Sequence, residues 1–455
     1  MLARTRLTRR LQNARRTVWT CSTLISNSPA ALVERLASSP LPSSPPAVTV
    51  YSISKNIPAA LISTIQSTLP PSPSLGAITE LLPASATSHL APSLDLKPSE
   101  EAYSIAVASY TPTGTSRIIP FQSSLTGRPN ISLGREIKQS AGEDEVDAGF
   151  EAFLSGKKWG FGDNSNLKEG KRATIEELEG VKPTDVKQLV FFTADRIQPF
   201  LGALSSYPST AKIGLVGSST PFHSSSAAPF SLYHDGHSAS AGAVGVAVLD
   251  SAPSKPVTID YAGLESFGDV MQVTNSKGNI VLTLSEQNAA RLLLNAVQAL
   301  PKPGDGSAGH RMEEKEKEFY AAVFDSKPEL PLDLTTARHV SQIMAGDPSR
   351  GAMSVDTEEE VKEGYYLAFL HRPIPSTTPS PPPGILQPTP AHSLTFLSVP
   401  SSHSPPQSLD ETPRKGNVVV LDSFVAASEN GVIVSKVGGA GSWVCKIEGV
   451  GEQLE

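Results

Sequence analysis

Short runs rich in β-branched residues alternate along this chain with runs whose apolar residues recur at helical spacing, and this alternation constrains the fold more than any other feature. "TVWTCSTLI" (17–25) reads as a strand, and "NSPAALVERLAS" after it reads as a helix with a start signal and an early proline. "AVTVYSIS" (47–54) is a second strand. "NIPAALISTIQSTL" follows with Asn56 as expected N-cap and apolar residues at 57, 61, 62 and 65. "SLGAIT" (74–79) and "EAYSIAVASY" (101–110) are further strands. The same succession returns as "QLVFFTAD", "RIQPFLGALSSY", "AKIGLVGSST" and "AGAVGVAVLD" (241–250). A shift of 141 residues lays Gly76 on Gly217, Thr79 on Thr220 and Val107 on Val248, as an internal βαββ repeat would. The expected fold class is therefore α/β, with mixed sheets and helices packed on their faces.

The rest of the chain divides around that pattern. Residues 111–187, with the acidic "GEDEVDAG" and the glycine-rich "SGKKWGFGDNSN", read as insertion and loop. After "SAPSKPV" come two strands around the turn "NSKGN" and a helix in which Ala290, Leu293, Leu294 and Val297 share a face. "RMEEKEKEFYAAVF" reads as an amphipathic helix, and "HVSQIMAGDPSRGAMSV" and "EGYYLAFLHR" as strands flanking a polar turn. Residues 372–415 hold too many prolines for a continuous sheet, because each removes a ladder donor; within them "SLTFLSV" (393–399) is expected to be ordered. "GNVVVLDSFVAASENGVIVSKVGG" then reads as a strand pair around Glu429-Asn430-Gly431. This organisation predicts a basic segment at 1–16, one domain at 17–250 and a second at 255–455.

Composition narrows the function classes. A chain of 455 residues with 39% hydrophobic content suits two globular units, while 39 prolines imply long loops or linkers. The net charge of -7 offers no long-range attraction to nucleic acid. No apolar run approaches the ~20 residues of a membrane helix, so no membrane insertion is expected. Cys21 and Cys445 lie far apart and make neither a disulfide framework nor a zinc cluster, and no cofactor is expected. The first 16 residues carry six arginines and no acid, with Leu2, Leu7 and Leu11 near one helical face. That pattern predicts a mitochondrial transit segment, with a basic arm on a cytoplasmic protein as the alternative.

Several stretches could carry chemistry. Gly217-Ser218-Ser219-Thr220 ends a strand and is followed by Pro221, so it lacks the second glycine of a nucleophile elbow and the lysine of a phosphate loop. Two readings stay open: hydroxyls and free N–H groups facing a ligand crevice, or a hydroxyl-capped structural turn. His223, His234, Asp235 and His237 could hold a metal or perform acid–base work, or simply flank an Asp-Gly hairpin turn. "GKKWGFGDN" (156–164) could close over a ligand, with Trp159 as apolar cover and Lys157 or Lys158 as a carboxylate partner, or be an ordinary loop. Arg350 in "GDPSRG" could grip a carboxylate bidentately or form a surface salt bridge. "GGAG" (438–441) lacks dinucleotide-binding spacing and reads as a turn.

Three stretches resemble the FIST family (F-box and intracellular signal transduction): "GLVGSSTPF" with "GAVGVAVL" downstream, "VTNSKGNIVLTLSEQNAARLLL", and "IMAGDPSRGAMSV" with "VKEGYYLAFLHR". The similarity is diffuse and runs over roughly 17–455. It implies an amino-terminal and a carboxy-terminal FIST-like half, and a small-ligand-binding sensory module for amino acids or related metabolites, more a binder than an enzyme. No F-box helices precede these stretches and no kinase or cyclase module follows them. A hydrolase, and a protein-interaction adaptor using the proline-rich segment, remain the alternatives.

Overall fold

The alternating runs do become strands and helices, and the result is a mixed α/β protein. The structure, a computed structural model, describes residues 18–38, 45–94, 96, 101–112, 116–126, 174–195, 197–220, 230–251, 256–261, 263–300, 318–347, 351–357, 359–372, 386, 390–402, 416–435 and 441–454. The basic segment 1–16 and most of 372–415 lie outside them. So does the "SGKKWGFGDNSN" loop.

In chain order the chain forms β1 (Val18–Ser26), α1 (Pro29–Ala37), β2 (Val48–Ser54), α2 (Ala59–Thr68), β3 (Ser74–Thr79), α3 (Ala84–Leu90) and β4 (Tyr103–Thr111). It continues with β5 (Arg117–Ser123), β6 (Val186–Thr193), α4 (Gln198–Leu204), β7 (Ala211–Val216), β8 (Leu232–His234), β9 (His237–Ala239), β10 (Ala243–Leu249) and β11 (Val257–Asp260). A separate run follows: β12 (Glu265–Lys277), β13 (Ile280–Leu284), β14 (Gln287–Asn288), α5 (Ala289–Ala299), β15 (Phe319–Phe324), β16 (His339–Asp347), β17 (Ala352–Val355) and β18 (Tyr366–His371). The last strands are β19 (Leu394–Ser398), β20 (Val418–Leu421), β21 (Phe424–Ser428), β22 (Val432–Ser435), β23 (Ser442–Cys445) and β24 (Gly451–Leu454).

These elements group into two compact units, and the chain leaves the first and returns to it. The first contains the described residues up to 126, those of 174–261, and those from 386 onward; the second contains those of 263–372. A single cut at 250–255 therefore does not separate them. The reason is hydrogen bonding: β20 pairs with β1, β22 with β7 and β24 with β11.

The described residues of the first unit form three sheets. Sheet 1 runs β20-β1-β4-β2-β3-β8-β9, sheet 2 runs β23-β22-β7-β6-β10-β5, and sheet 3 runs β11-β24-β19-β21. Each contains the same four-strand arrangement, in which the first strand pairs antiparallel with the fourth, the fourth antiparallel with the second, and the second parallel with the third. In sheet 2 these are β5, β10, β6 and β7; in sheet 3 they are β11, β24, β19 and β21. The correspondence extends to single residues. Ile78 N–H donates to Ser231 O at 3.0 Å on the neighbouring hairpin strand, and Val216 N–H donates to Gly431 O at 3.1 Å in the same way. Ile78 thus matches Val216, a shift of 138 rather than 141, and the 141-residue alignment slips by three positions.

Glycine marks the same register. Tyr51 lies beside Gly76, where an added Cβ would meet the Tyr51 carbonyl oxygen at 2.4 Å. Phe191 lies beside Gly214, where a Cβ would sit 2.2 Å from the ring. In both sheets a large aromatic needs a neighbour without a side chain. On the helix-bearing face of sheet 1, Leu32 of α1 and Ile62 and Ile65 of α2 pack with Tyr51, Ile53, Ile78 and Ile105. Each buried aliphatic side chain contributes about 1.5–3 kcal/mol. Between sheets 2 and 3, Phe192 meets Phe396 with ring centroids 5.6 Å apart.

Local expectations hold in part. Ser28 caps α1, accepting from Ala31 N–H at 3.4 Å. Asn56 does not cap α2: that helix follows Pro58 without a side-chain cap, and the Asn56 amide donates to Ala102 O at 3.2 Å. Within 111–187, read as loop, residues 117–123 form β5, an edge strand where Pro120 leaves no donor unsatisfied. The Asn430-Gly431 turn does not close a hairpin, because β21 belongs to sheet 3 and β22 to sheet 2.

In the second unit, β12-β18-β15-β16-β17-β13 pair in sequence, and β12 also pairs with β13. The pairings therefore run in a closed circuit of six strands, with β12 joined to β18 over Glu265–Gln272 and to β13 over Val273–Lys277. Phe267, Val323, Met353 and Phe369 share its core, and α5 lies against it with Asn288 as cap. Ala289 and Ala290 are buried, Leu293 and Val297 half-buried, and Leu294 exposed, so the expected apolar face covers less than its composition suggests. "FYAAVF", read as part of a helix, is β15: six consecutive apolar residues suit a strand paired on both sides better than a helix with one wet face.

Candidate functional site

In α/β sheets the carboxyl ends of parallel strands are where ligands meet the backbone. The first unit has three such parallel pairs, and their ends are hydrogen-bonded to one another. Ser218 N–H, just past β7, donates to Ile78 O of β3 at 3.0 Å. Glu80 N–H, just past β3, donates to Ala427 O of β21 at 2.7 Å. Past β21, the Asn430 side-chain amide donates to Gly217 O at 2.9 Å. Glu80, Ser218 and Glu429, each two residues beyond a matching strand position, are thereby gathered from all three sheets.

The strand end at Gly217–Thr220 lies inside this cluster. Gly217 N–H donates to Thr193 O at 2.7 Å, which completes the turn out of β7. The Ser218 hydroxyl donates to Glu429 Oε2 at 2.5 Å, and Ser219 N–H donates to Glu429 Oε1 at 3.0 Å. Thr220 Oγ1 lies 3.1 Å from Ser231 Oγ. Gly217, Ser218 and Thr220 are buried, and Ser219 is exposed. The structure therefore brings Gly217, Ser218, Ser219 and Thr220 together with an acid, and spends the Ser218 hydroxyl on it. Trp159, Lys158 and Arg350 lie outside the described residues, as do Lys157 and His223. His234 and His237 face each other across the Asp235-Gly236 turn, both turn residues having positive φ, 48° and 77°.

Sequence reasoning missed the charged partners. Lys55 Nζ donates to Glu80 Oε2 at 2.5 Å and to Ser402 O at 3.1 Å. Glu80 Oε1 also accepts from the Ser402 hydroxyl at 2.8 Å and from Leu81 N–H at 2.9 Å. The Lys55 side chain is 10% exposed and that of Glu80 1%, so the pair is a buried ion pair whose acid is fully satisfied. Glu429 and Asn430 are half-buried. Burial pushes the Glu429 carboxyl above its ordinary value, the Ser218 hydroxyl opposes this, and the nearby Glu80 charge adds to it. The available signal was a lone charged residue straight after an apolar strand, in "SISK", "AITE" and "AASEN".

Chemically, the cluster is a polar floor with one carboxylate, Glu429, reachable beside the exposed Ser219. Among the described residues no group of three or more His, Cys, Asp or Glu side chains could hold a metal ion, and no helix is long and apolar enough to cross a membrane. No curated protein matches the chain. A family model, the FIST N domain, matches residues 47–287, from the start of β2 through β14, more than half of the sequence. That span holds Lys55, Glu80 and the Gly217–Thr220 turn, and the chain belongs to the FIST N domain family.

Proposed function

We propose that this protein is a small-ligand-binding sensory or signalling module, with its site at the joined strand ends and amino acids or related metabolites as ligands. The observation that carries the reading is Glu429. It is a half-buried carboxylate held by the Ser218 hydroxyl and Ser219 N–H where parallel strands of different sheets meet. Such a group is preorganised, because its neighbours fix it before any ligand arrives. In this reading the residues beyond 287 supply the carboxy-terminal FIST half, and the matching four-strand arrangements descend from one repeated unit. Residues 1–16 direct the chain to mitochondria, which a reporter fused to residues 1–30 checks: a diffuse signal removes that part. The proline-rich segment offers a protein partner a docking site, and deleting 375–384, which spares β19 and Ser402, should abolish capture of that partner while leaving ligand binding intact.

The central test is a thermal-shift screen against amino acids and organic acids. A ligand at a hundred times its Kd adds about 2.7 kcal/mol by mass action. The rise should saturate with concentration and disappear in Ser219→Trp, which fills the exposed side of the site. Absence of any saturable shift, or a shift unchanged in Ser219→Trp, removes the site from this place.

A further inference from the structure

Two carboxylates of the cluster occupy corresponding positions in sheets of the same topology, yet only one has a cation. Lys55 N–H donates to Thr79 O at 2.8 Å, and Val399 N–H donates to Ser428 O at 3.0 Å. Lys55 and Val399 are therefore corresponding residues, and Glu80 and Glu429 directly follow the two accepting carbonyls. In sheet 1 the chain fills the place beside the acid itself, with the Lys55 ammonium 2.5 Å from Glu80. In sheet 3 a buried valine stands where that lysine would be, 6% exposed. Glu429 has neutral donors alone: the Ser218 hydroxyl, the Ser219 N–H and its own backbone N–H. Among the described residues no lysine, arginine or histidine pairs with it. Sheet 2 has neither partner, since Asp195 and Ser218 stand at the corresponding positions.

Resting on the reading above, we propose that Glu429 receives the primary ammonium group of a small ligand, at the position that corresponds to the Lys55 ammonium in sheet 1. A compact three-donor cation matches this place, since Lys55 divides its donors between a carboxylate and a backbone carbonyl. These three neutral donors leave the Glu429 carboxylate acceptor capacity for a charge-assisted bond. The Lys55–Glu80 pair is neutral as a unit, so Glu429 carries the charge of the cluster that remains to be balanced. Because burial and Glu80 hold the Glu429 carboxyl above its ordinary value, binding of a cation should take hold as pH rises through that raised value and weaken below it.

The probe is n-propylammonium, titrated into the full chain by calorimetry at constant ionic strength, with n-propanol, propionate and tetramethylammonium as comparisons. Only n-propylammonium should give saturable binding, since the others lack either the charge or the N–H donors. Glu429→Gln should weaken it about tenfold or more, the loss of one charge-assisted bond. Val399→Lys should abolish it by supplying the cation internally; where that variant fails to fold, Glu429→Gln alone decides. Equal responses to n-propanol, or unchanged affinity in Glu429→Gln, overturns the proposal. If propylammonium is silent while an organic acid binds in a Ser219→Trp-sensitive manner, the site stands and the ammonium assignment fails.

Discussion

Glu452 should make a contribution to the stability of the first unit that is greatest in acid, and Glu452→Gln should remove that contribution to the pH dependence. The residue lies in β24 between Ile259 of β11 and Phe396 of β19, with 0% exposure. Neither carboxylate oxygen has a hydrogen-bond partner of ordinary geometry. Burial raises its pKa well above the ordinary carboxylate value, and a hydrogen bond from the Gly214 backbone offsets part of this. The folded state therefore keeps a proton that the unfolded state releases. Its stability contribution is complete below the unfolded value and declines as pH rises toward the folded one. For one proton that slope is 2.303RT, about 1.4 kcal/mol per pH unit. Between pH 5 and pH 6 the wild type should thus lose up to about 1.4 kcal/mol that Glu452→Gln does not. At about 2–4 °C per kcal/mol, that is a relative Tm difference of up to about 3–6 °C. Urea unfolding at several pH values gives the same quantity through the midpoint at constant m. Identical pH slopes in the two proteins would refute the argument, because they would mean that the acid is ionised or solvated in the folded state.

Four further outcomes follow from the described contacts. Gly214→Ala should destabilise by about 1–3 kcal/mol in denaturant unfolding through overpacking against Phe191, and Phe191→Leu should recover much of that loss in the double variant. Ser218→Ala removes a donor to a charged group and should lower stability by about 1.5–3 kcal/mol, with unchanged m. Cys21 and Cys445 are buried with thiols pushed up to about 12, so a thiol reagent at pH 8 should label the native protein slowly and the urea-unfolded protein at once. Residues 263–374 expressed alone should unfold in one cooperative transition by circular dichroism, because their six-strand ring closes without help from the rest of the chain.

Much of the first unit was legible because its strands are short, apolar and separated by turn residues. β2, β3, β4, β6, β7 and β10 follow the alternation directly. The third copy of the arrangement was not legible. Its first strand, Val257–Asp260, and its second, Leu394–Ser398, are divided by the whole second unit, so no fixed period connects them. "EFYAAVF" misled for a local reason: the charged run before it imitates a wet helical face, while the pairing partners that make it a strand lie far off in sequence. At the site, the turn from Gly217 to Thr220 could be found from its glycine and hydroxyls. Lys55, Glu80 and Glu429 showed only as lone charges after apolar strands, because their meaning comes from strand ends distant in sequence being joined by backbone hydrogen bonds.

The exchanged hairpins bear on how the nascent chain can acquire its structure. The outer edge of β3 waits for Leu232–His234, that of β7 for Val432–Ser435, and that of β1 for Val418–Leu421. Until the residues from Val418 onward have been made, the margins of β1 and β7 lack the strands that pair with them. Completion of the amino-terminal portion thus depends on residues from Val418 onward, and premature termination before Val418 should yield insoluble fragments rather than a smaller working protein.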